Sequence, residues 1–333
     1  MIRLGQIGLN YGLHVQIPAF LDDSRFDLIG VCSKNIDNAI KVQKDLNLDF
    51  ATDKADKLFE LVDAVSIAVP PNVQAIVLPL AIEKGLHVFF EKPLGYLPLQ
   101  NTLPSKNNSL MPDFEFLEVD VWKDLAKIIN SNNLGKLLHA EVVWNVETFA
   151  VSKAIKSWKT DPNLSGGVLN NFAPHCFHYI EKFMGSIDSV DVKAMNYLTT
   201  AEEVVYIYLQ FNSGASAAIC ISSNTYRGSG HFLEFTGTQG TARLKNQSST
   251  TLTNFELDVF YKSGKTFKKK SDMKVDKLTD DRVPAVSSLV KKFGDWIDTG
   301  EIQTPNISDA IRVQKLLNAS TQSILEKKLV QLD

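Results

Sequence analysis

Two apolar runs in this chain stop at prolines. Val65-Ser66-Ile67-Ala68-Val69 runs into Pro70-Pro71, and His87-Val88-Phe89-Phe90 runs into Glu91-Lys92-Pro93. Each run has the length of a buried strand that ends in a turn. In an open α/β sheet, ligands bind at the carboxyl ends of the strands. Val69, Pro70, Pro71, Glu91 and Lys92 therefore belong in a candidate cofactor or substrate cleft. A lysine there donates hydrogen bonds to a substrate oxygen and favours the anion left when an alcohol loses its proton. Glu91 is read as fixing local geometry. The competing reading of Lys92 is a solvated side chain at a strand exit.

A second constellation is Gly8-Leu9-Asn10-Tyr11-Gly12-Leu13, between an opening strand and a helix. A dinucleotide pyrophosphate needs backbone amides at a helix start and a backbone it can approach closely. Gly8 supplies the tight turn, whereas Asn10 and Leu13 stand where G-x-G-x-x-G has its second and third glycines. Asn10 tolerates a left-handed backbone better than most residues. Tyr11 packs on the cofactor or simply covers the loop. The next strand ends at Cys32-Ser33-Lys34, with no carboxylate until Asp37. An NAD site usually has Asp or Glu here for the ribose hydroxyls. Ser33 and Lys34 suit a 2′-phosphate instead, so the reading leans from NAD toward NADP; the alternative is two ordinary surface residues.

The elements that must position these groups alternate at first. Strands are predicted at Ile2 to Ile7, Phe26 to Cys32 and Val65 to Val69. Helices are predicted over Pro18 to Leu21, through Ile40, Val42 and Leu46, briefly at Leu58 to Leu61, and over Val73 to Lys84, which Gly85 closes. That order predicts a doubly wound parallel sheet. Gly95 to Pro112 reads as a loop or weak helix, Phe114 to Val119 as an alternating strand, and Trp122 to Ile129 as a helix. Longer period-two segments follow: Leu138 to Trp144, Val190 to Tyr197, Glu203 to Phe211, Ala215 to Ser222, Phe232 to Thr236 and Leu257 to Tyr261. They predict a mostly antiparallel sheet with one covered face. One helix is expected over Gly167 to Met184, and two more over Val283 to Ile297 and Ser308 to Leu325. The domain boundary is placed near residue 120, giving 1–120 and 121–333, with the last helices able to pack back on the first domain.

The 333 residues carry a net charge of -3, which gives no electrostatic case for nucleic acid or an anionic membrane. Lys268-Lys269-Lys270 is read as a solvated hairpin face. Cys32, Cys176 and Cys220 are far apart and lack metal-ligand spacing, so a reducing cytoplasm is expected and no metal is assigned. No secretory leader is visible, and no apolar run reaches the ~18 residues of a membrane span.

The ordered set Ile17-Pro18-Ala19-Phe20, Asp63 through Pro71, Gly85 with His87-Val88, Glu91-Lys92-Pro93, Leu134-Gly135-Lys136, Gly166-Gly167-Val168-Leu169, Thr236 to Gly240 and Ser308-Asp309-Ala310 resembles the glucose-fructose oxidoreductase / inositol dehydrogenase / MocA family of NAD(P)-dependent dehydrogenases. The resemblance covers nearly the whole chain. It implies an N-terminal Rossmann domain and a C-terminal α/β domain on a large open sheet, which commonly forms a dimer or tetramer interface. The implied substrates are sugars, inositols and nucleotide sugars. The family's catalytic lysine falls on Lys92 and its histidine on His175. Its aspartate falls on Asn171, and a further acidic position on His178. These are departures, because asparagine cannot share a proton as aspartate does. The stretch from Lys92 to Phe114 is also shorter than usual.

On this reading His175 is the acid/base, since a free imidazole pKa near ~6.5 suits proton transfer at neutral pH; the competing reading of His175, and the favoured one of His178, is a satisfied structural histidine in a helix. Within the single expected helix, Asn171, His175 and His178 share a face. His175 and His178 alone lack a third metal ligand. Trp158 is a candidate to close over substrate; core packing is its alternative. The expected activity is hydride transfer between nicotinamide and a secondary alcohol or ketone. The alternatives are a non-catalytic sensor of the same fold and a Rossmann reductase of another class.

Overall fold

A computed structural model of the chain describes residues 1–95, 108–248, 250–276 and 279–332. Contacts divide it into two compact units, Met1–Glu115 with Val275–Ile311, and Phe116–Lys274 with Arg312–Asp333.

The first unit is built on β1 (Ile2–Ile7), β2 (Phe26–Cys32), β3 (Phe50–Thr52), β4 (Ala64–Ile67), β5 (His87–Phe90) and β6 (Leu110–Pro112). All pairings are parallel, and the order is β3-β2-β1-β4-β5-β6. The reversal of strand order beside β1 leaves a crevice at the carboxyl ends, where doubly wound sheets bind nucleotides. The central strands are mostly buried, as expected of a parallel sheet covered on both faces: β4 is buried along its whole length and β1 over its last four residues, with Gln6 and Ser66 among them. One cluster joins Leu4, Phe20, Phe26 and Phe89 to Val286, Leu289 and Phe293 of the returning helix Val283–Thr299. Phe20 and Phe26 meet edge to face at 4.9 Å, and Phe26 stacks on Phe293 at 6.0 Å.

The second unit carries β7 (Leu137–Asn145), β8 (Ile187–Met195), β9 (Val204–Phe211), β10 (Ser216–Ser222), β11 (Gly230–Gly237), β12 (Gly240–Asn246), β13 (Glu256–Tyr261), β14 (Thr266–Lys270) and β15 (Val330–Gln331). Their order is β14-β13-β12-β11-β7-β10-β9-β8-β15, antiparallel except for the β7–β10 pair. The period-two reading holds on β9, where Val205, Ile207, Leu209 and Phe211 are buried and Tyr206 and Tyr208 are exposed. The fold is thus a parallel Rossmann sheet followed by a large, mostly antiparallel sheet.

Several local expectations are corrected. Phe114 to Val119 is no strand; Glu115–Glu118 is a 3-10 turn, and the strand is Leu110–Pro112. The alternation misleads because both sets of residues are buried: Phe114, Phe116 and Val119, but also Glu115 and Glu118. Of the loop expected over Gly95 to Pro112, residues 96–107 lie outside the described residues. The single helix over Gly167 to Met184 is two, Val168–Asn171 and Ala173–Met184, meeting at Phe172 with Pro174 in the first turn of the second. Proline has no N–H to continue the first helix's ladder, so the chain restarts there. Lys268-Lys269-Lys270 does sit on a hairpin, and two of its charges are matched by acids: Lys269 lies 2.7 Å from Asp124 and Lys268 3.7 Å from Asp258. No helix among the described residues is long and apolar enough to cross a membrane.

Candidate functional site

The loop after β1 is pinned at both ends. Gly8 takes φ +90°, and a Cβ there would fall 2.1 Å from the Ala68 carbonyl oxygen. Only glycine accepts that backbone at that approach. Asn10 does not take a positive φ, so its left-handed tolerance goes unused; its side chain is exposed. Leu13 is half-buried, and Gly12 makes the close approach expected of the third glycine: a Cβ on it would fall 2.3 Å from Gln6 Nε2. Gln6 Nε2 in turn donates to the Ile7 and Gly8 carbonyls at 3.2 Å. The helical segment opens with a wide π-type turn at Gly12–Gln16 and continues as Ile17–Leu21. Tyr11 lies under the Arg282 guanidinium, 4.7 Å from Cζ to ring centroid.

At the exit of β2, Ser33 is half-buried and Lys34 exposed, and Asn35 caps the helix Ile36–Leu46 by accepting from Asp37 N at 3.0 Å. Burial, with Asp53 just after neighbouring β3 and Asp56 in the helix Ala55–Phe59 that follows it, pushes the Cys32 thiol up to about 11. Acidic charge therefore reaches this corner from a strand that a linear reading along β2 does not consult. Val69 and Pro70 are half-buried beyond β4, and Pro71 is buried as the first residue of the helix Pro71–Glu83. Proline there is pre-set for a helix start and wastes no donor.

Glu91 and Lys92 follow β5 and are half-buried, and a carboxyl cluster forms around them. Asp113, fully buried after β6, hydrogen-bonds Glu91 side chain to side chain, and Glu115 is buried two residues on. Gln16 Nε2 donates to Asp113 Oδ2 at 3.2 Å and reaches Glu91 Oε1 at 3.5 Å, while its Oε1 accepts from Ser66 Oγ at 2.7 Å. Burial and mutual repulsion push Glu91 well up and Glu115 up to about 8, and burial raises Asp113; Lys92 opposes all three shifts. Two carboxyls in hydrogen-bond contact cannot both ionise cheaply, so the pair retains a proton. Sequence reasoning missed Asp113, Glu115, Gln16 and Arg282. The available signal was acids and an amide set inside otherwise apolar runs.

In the second unit, Gly166-Gly167 enters the helix Val168–Asn171. Gly167 has φ +94°, and its absent side chain leaves room for the Glu202 carboxylate, which accepts from Leu169 N at 3.1 Å. Asn171 ends this short helix, half-buried, whereas His175 and His178 are buried on Ala173–Met184. The His175 ring lies 5.0 Å from Phe116 and 6.1 Å from Trp144. Trp158 is half-buried on a 3-10 turn, with Lys159 Nζ 5.7 Å from its ring centroid. The structure thus gathers Gly8, Tyr11, Gly12, Glu91 and Lys92 at the strand exits of the first unit. It carries Trp158, Asn171, His175 and His178 on the second.

Comparison with known proteins gives these units a family. Residues 2–102 match the model for "Oxidoreductase family, NAD-binding Rossmann fold", and residues 126–332 that for "Oxidoreductase family, C-terminal alpha/beta domain". An uncharacterised oxidoreductase of Synechocystis is 26% identical, over 99% of this chain and 95% of its own. A D-xylose 1-dehydrogenase (NADP+) of Haloferax volcanii is 23% identical, over 99% and 98%. A levoglucosan dehydrogenase solved with NADH and levoglucosan shares the fold, with a TM-score of 0.86 at 16% identity and 99% of each chain covered. The chain belongs to the glucose-fructose oxidoreductase / inositol dehydrogenase / MocA family of oxidoreductases, with its NAD-binding Rossmann domain and its C-terminal α/β domain.

Proposed function

We propose that this oxidoreductase moves a hydride between a nicotinamide cofactor and a secondary alcohol or ketone of a sugar, cyclitol or nucleotide sugar. The observation that carries the reading is Glu91-Lys92-Pro93 at the carboxyl end of β5, in a 3-2-1-4-5-6 sheet of an NAD-binding family. The relatives named as sugar dehydrogenases support the substrate class.

Gly8 to Leu13 is the loop proposed to take the pyrophosphate, its turn set by Gly8, whose φ of +90° and approach to the Ala68 carbonyl accept no side chain. Bound NAD(P) supplies the hydride acceptor or donor. Lys92 donates a hydrogen bond to the reacting oxygen and stabilises its developing charge. His175 takes the hydroxyl proton and returns it in the reverse direction. Asn171 orients the hydroxyl without sharing its proton, and Trp158 and His178 are proposed to contact substrate. Tyr11, Asn10, Val69, Pro70, Pro71 and Glu91 complete the proposed cofactor surface. Ser33 and Lys34 favour NADP through the 2′-phosphate. We further propose a cytoplasmic homodimer or homotetramer, formed through the exposed face of the nine-stranded sheet that carries Tyr206 and Tyr208.

Melting the protein with NADPH, with NADH and with neither tests cofactor use, and nicotinamide absorbance with a panel of sugars and keto-sugars tests turnover. A cofactor-dependent rise in melting temperature with turnover of at least one sugar is expected. Cofactor binding without turnover of any of them would favour a sensor.

A further inference from the structure

Gln74 lies on the helix Pro71–Glu83 and is fully buried. Its Nε2 donates to two carbonyl oxygens, those of Glu91 and of Pro93, the second at 2.9 Å. These are the residues on either side of Lys92. Both acceptors are carbonyls, so the amide has one workable orientation, nitrogen toward the loop. Its Oε1 is then turned away, buried and without a hydrogen-bond partner among the described residues. An orphaned buried acceptor is costly and rare in native proteins. A polar side chain kept at such a cost is doing something an apolar one cannot.

The same loop is held from a second direction. Gln16 contacts the Glu91 and Asp113 carboxyls through Nε2, and its orientation is fixed by Ser66 Oγ at 2.7 Å and Gln6 Nε2 at 3.4 Å on its Oε1. One amide holds the backbone around Lys92, and the other holds the side chain of the residue before it. We propose that Gln74 is a positioning residue that fixes the backbone carrying Lys92 at the reacting oxygen, with Gln16 as its counterpart on Glu91. The inference rests on the catalytic reading of Lys92 given above. Gln74 touches neither substrate nor reacting atoms; it acts through the main chain on both sides of Lys92.

The test is single-turnover hydride transfer in Gln74→Met, Lys92→Ala and the doubly substituted chain, with cofactor Kd and substrate KM measured alongside. Displacing a reacting group by about 1 Å lowers rates by about 10- to 100-fold, and that is the fall expected for Gln74→Met, with KM and cofactor Kd changed less than about twofold. In the Lys92→Ala background Gln74→Met should have no further effect. Gln74→His, whose ring N–H can serve one carbonyl, should recover part of the rate. Gln16→Met, expected to lower the rate in the same selective way, gives the answer should Gln74→Met not fold. An unchanged rate in Gln74→Met, or an equal fall with and without Lys92, overturns the proposal. An unchanged rate in Lys92→Ala overturns the catalytic reading itself, and the positioning role with it.

Discussion

Replacing His231 by glutamine should flatten the acid limb of this protein's stability curve. His231 is buried on β11, stacked 4.1 Å from the Trp144 ring at 6°. Its Nε2 lies 3.0 Å from the Tyr179 hydroxyl, whose single proton goes to Cys176 Sγ at 3.0 Å. With that proton on sulfur, Nε2 serves as the donor of a neutral imidazole, and Nδ1 is buried with no hydrogen-bond partner among the described residues. Burial pushes the group down from 6.5 to about 3. Below pH 6.5 the unfolded chain takes up a proton that the folded chain refuses until about pH 3, so stability falls with falling pH across that window. The slope is about 1.4 kcal/mol per pH unit, and the full loss is on the order of 5 kcal/mol. Glutamine keeps an N–H donor for Tyr179 but gives up the stacking, a loss of about 1 kcal/mol at neutral pH. Urea unfolding followed by tryptophan fluorescence at a series of pH values should show the variant weaker at pH 7. It should be equal near pH ~6 and stronger below, with one proton fewer taken up on unfolding. Parallel curves for the two proteins would contradict a His231 that stays neutral in the folded chain down to about pH 3.

Glu115 has the opposite sign. Its carboxyl is pushed up to about 8, chiefly by burial and by Asp113, so the unfolded chain releases its proton first and stability falls as pH rises from 4.5 to 8. Glu115→Gln should be the more stable protein at pH 9 by a few kcal/mol and should show little difference at pH 4, read by chemical denaturation. Gly8→Ala should lower the melting temperature and abolish cofactor binding, since its Cβ would overlap the Ala68 carbonyl; normal NADPH binding by calorimetry would contradict that geometry. Lys34→Glu should shift preference from NADPH toward NADH by about tenfold or more in Kd, a charge contact to phosphate being worth about 1.5–3 kcal/mol. An unchanged ratio would remove Lys34 from the cofactor site and bring forward Asp53 as the group that sets preference.

Much of the fold was legible because burial wrote a simple pattern. The strands beside the parallel switch point are mostly apolar and buried, and β9 alternates residue by residue. What escaped has physical reasons. On β12 the outer face carries Arg243 and Lys245, which pair with Glu234 and with Glu256 and Asp258, so the strand reads as polar although Ala242 and Leu244 are buried. β3 and β15 have only three and two residues, too short for a period to show. Phe114 to Val119 failed because a buried glutamate looks like a surface one in sequence. That residue type also hid the carboxyl cluster: Asp113 and Glu115 join Glu91 only when the end of β6 is brought beside the end of β5. The candidates Gly8, Glu91 and Lys92 were visible because glycine, and a charge at the end of an apolar run, carry their meaning locally.

Hydride transfer with Lys92 at the reacting oxygen can be checked by comparing wild type with Lys92→Ala on a sugar the wild type turns over. Single-turnover nicotinamide absorbance and cofactor Kd are the two readouts. A fall in the hydride-transfer rate of about 100-fold or more is expected, with cofactor Kd nearly unchanged. An unaltered rate, or a loss confined to cofactor affinity, would contradict it.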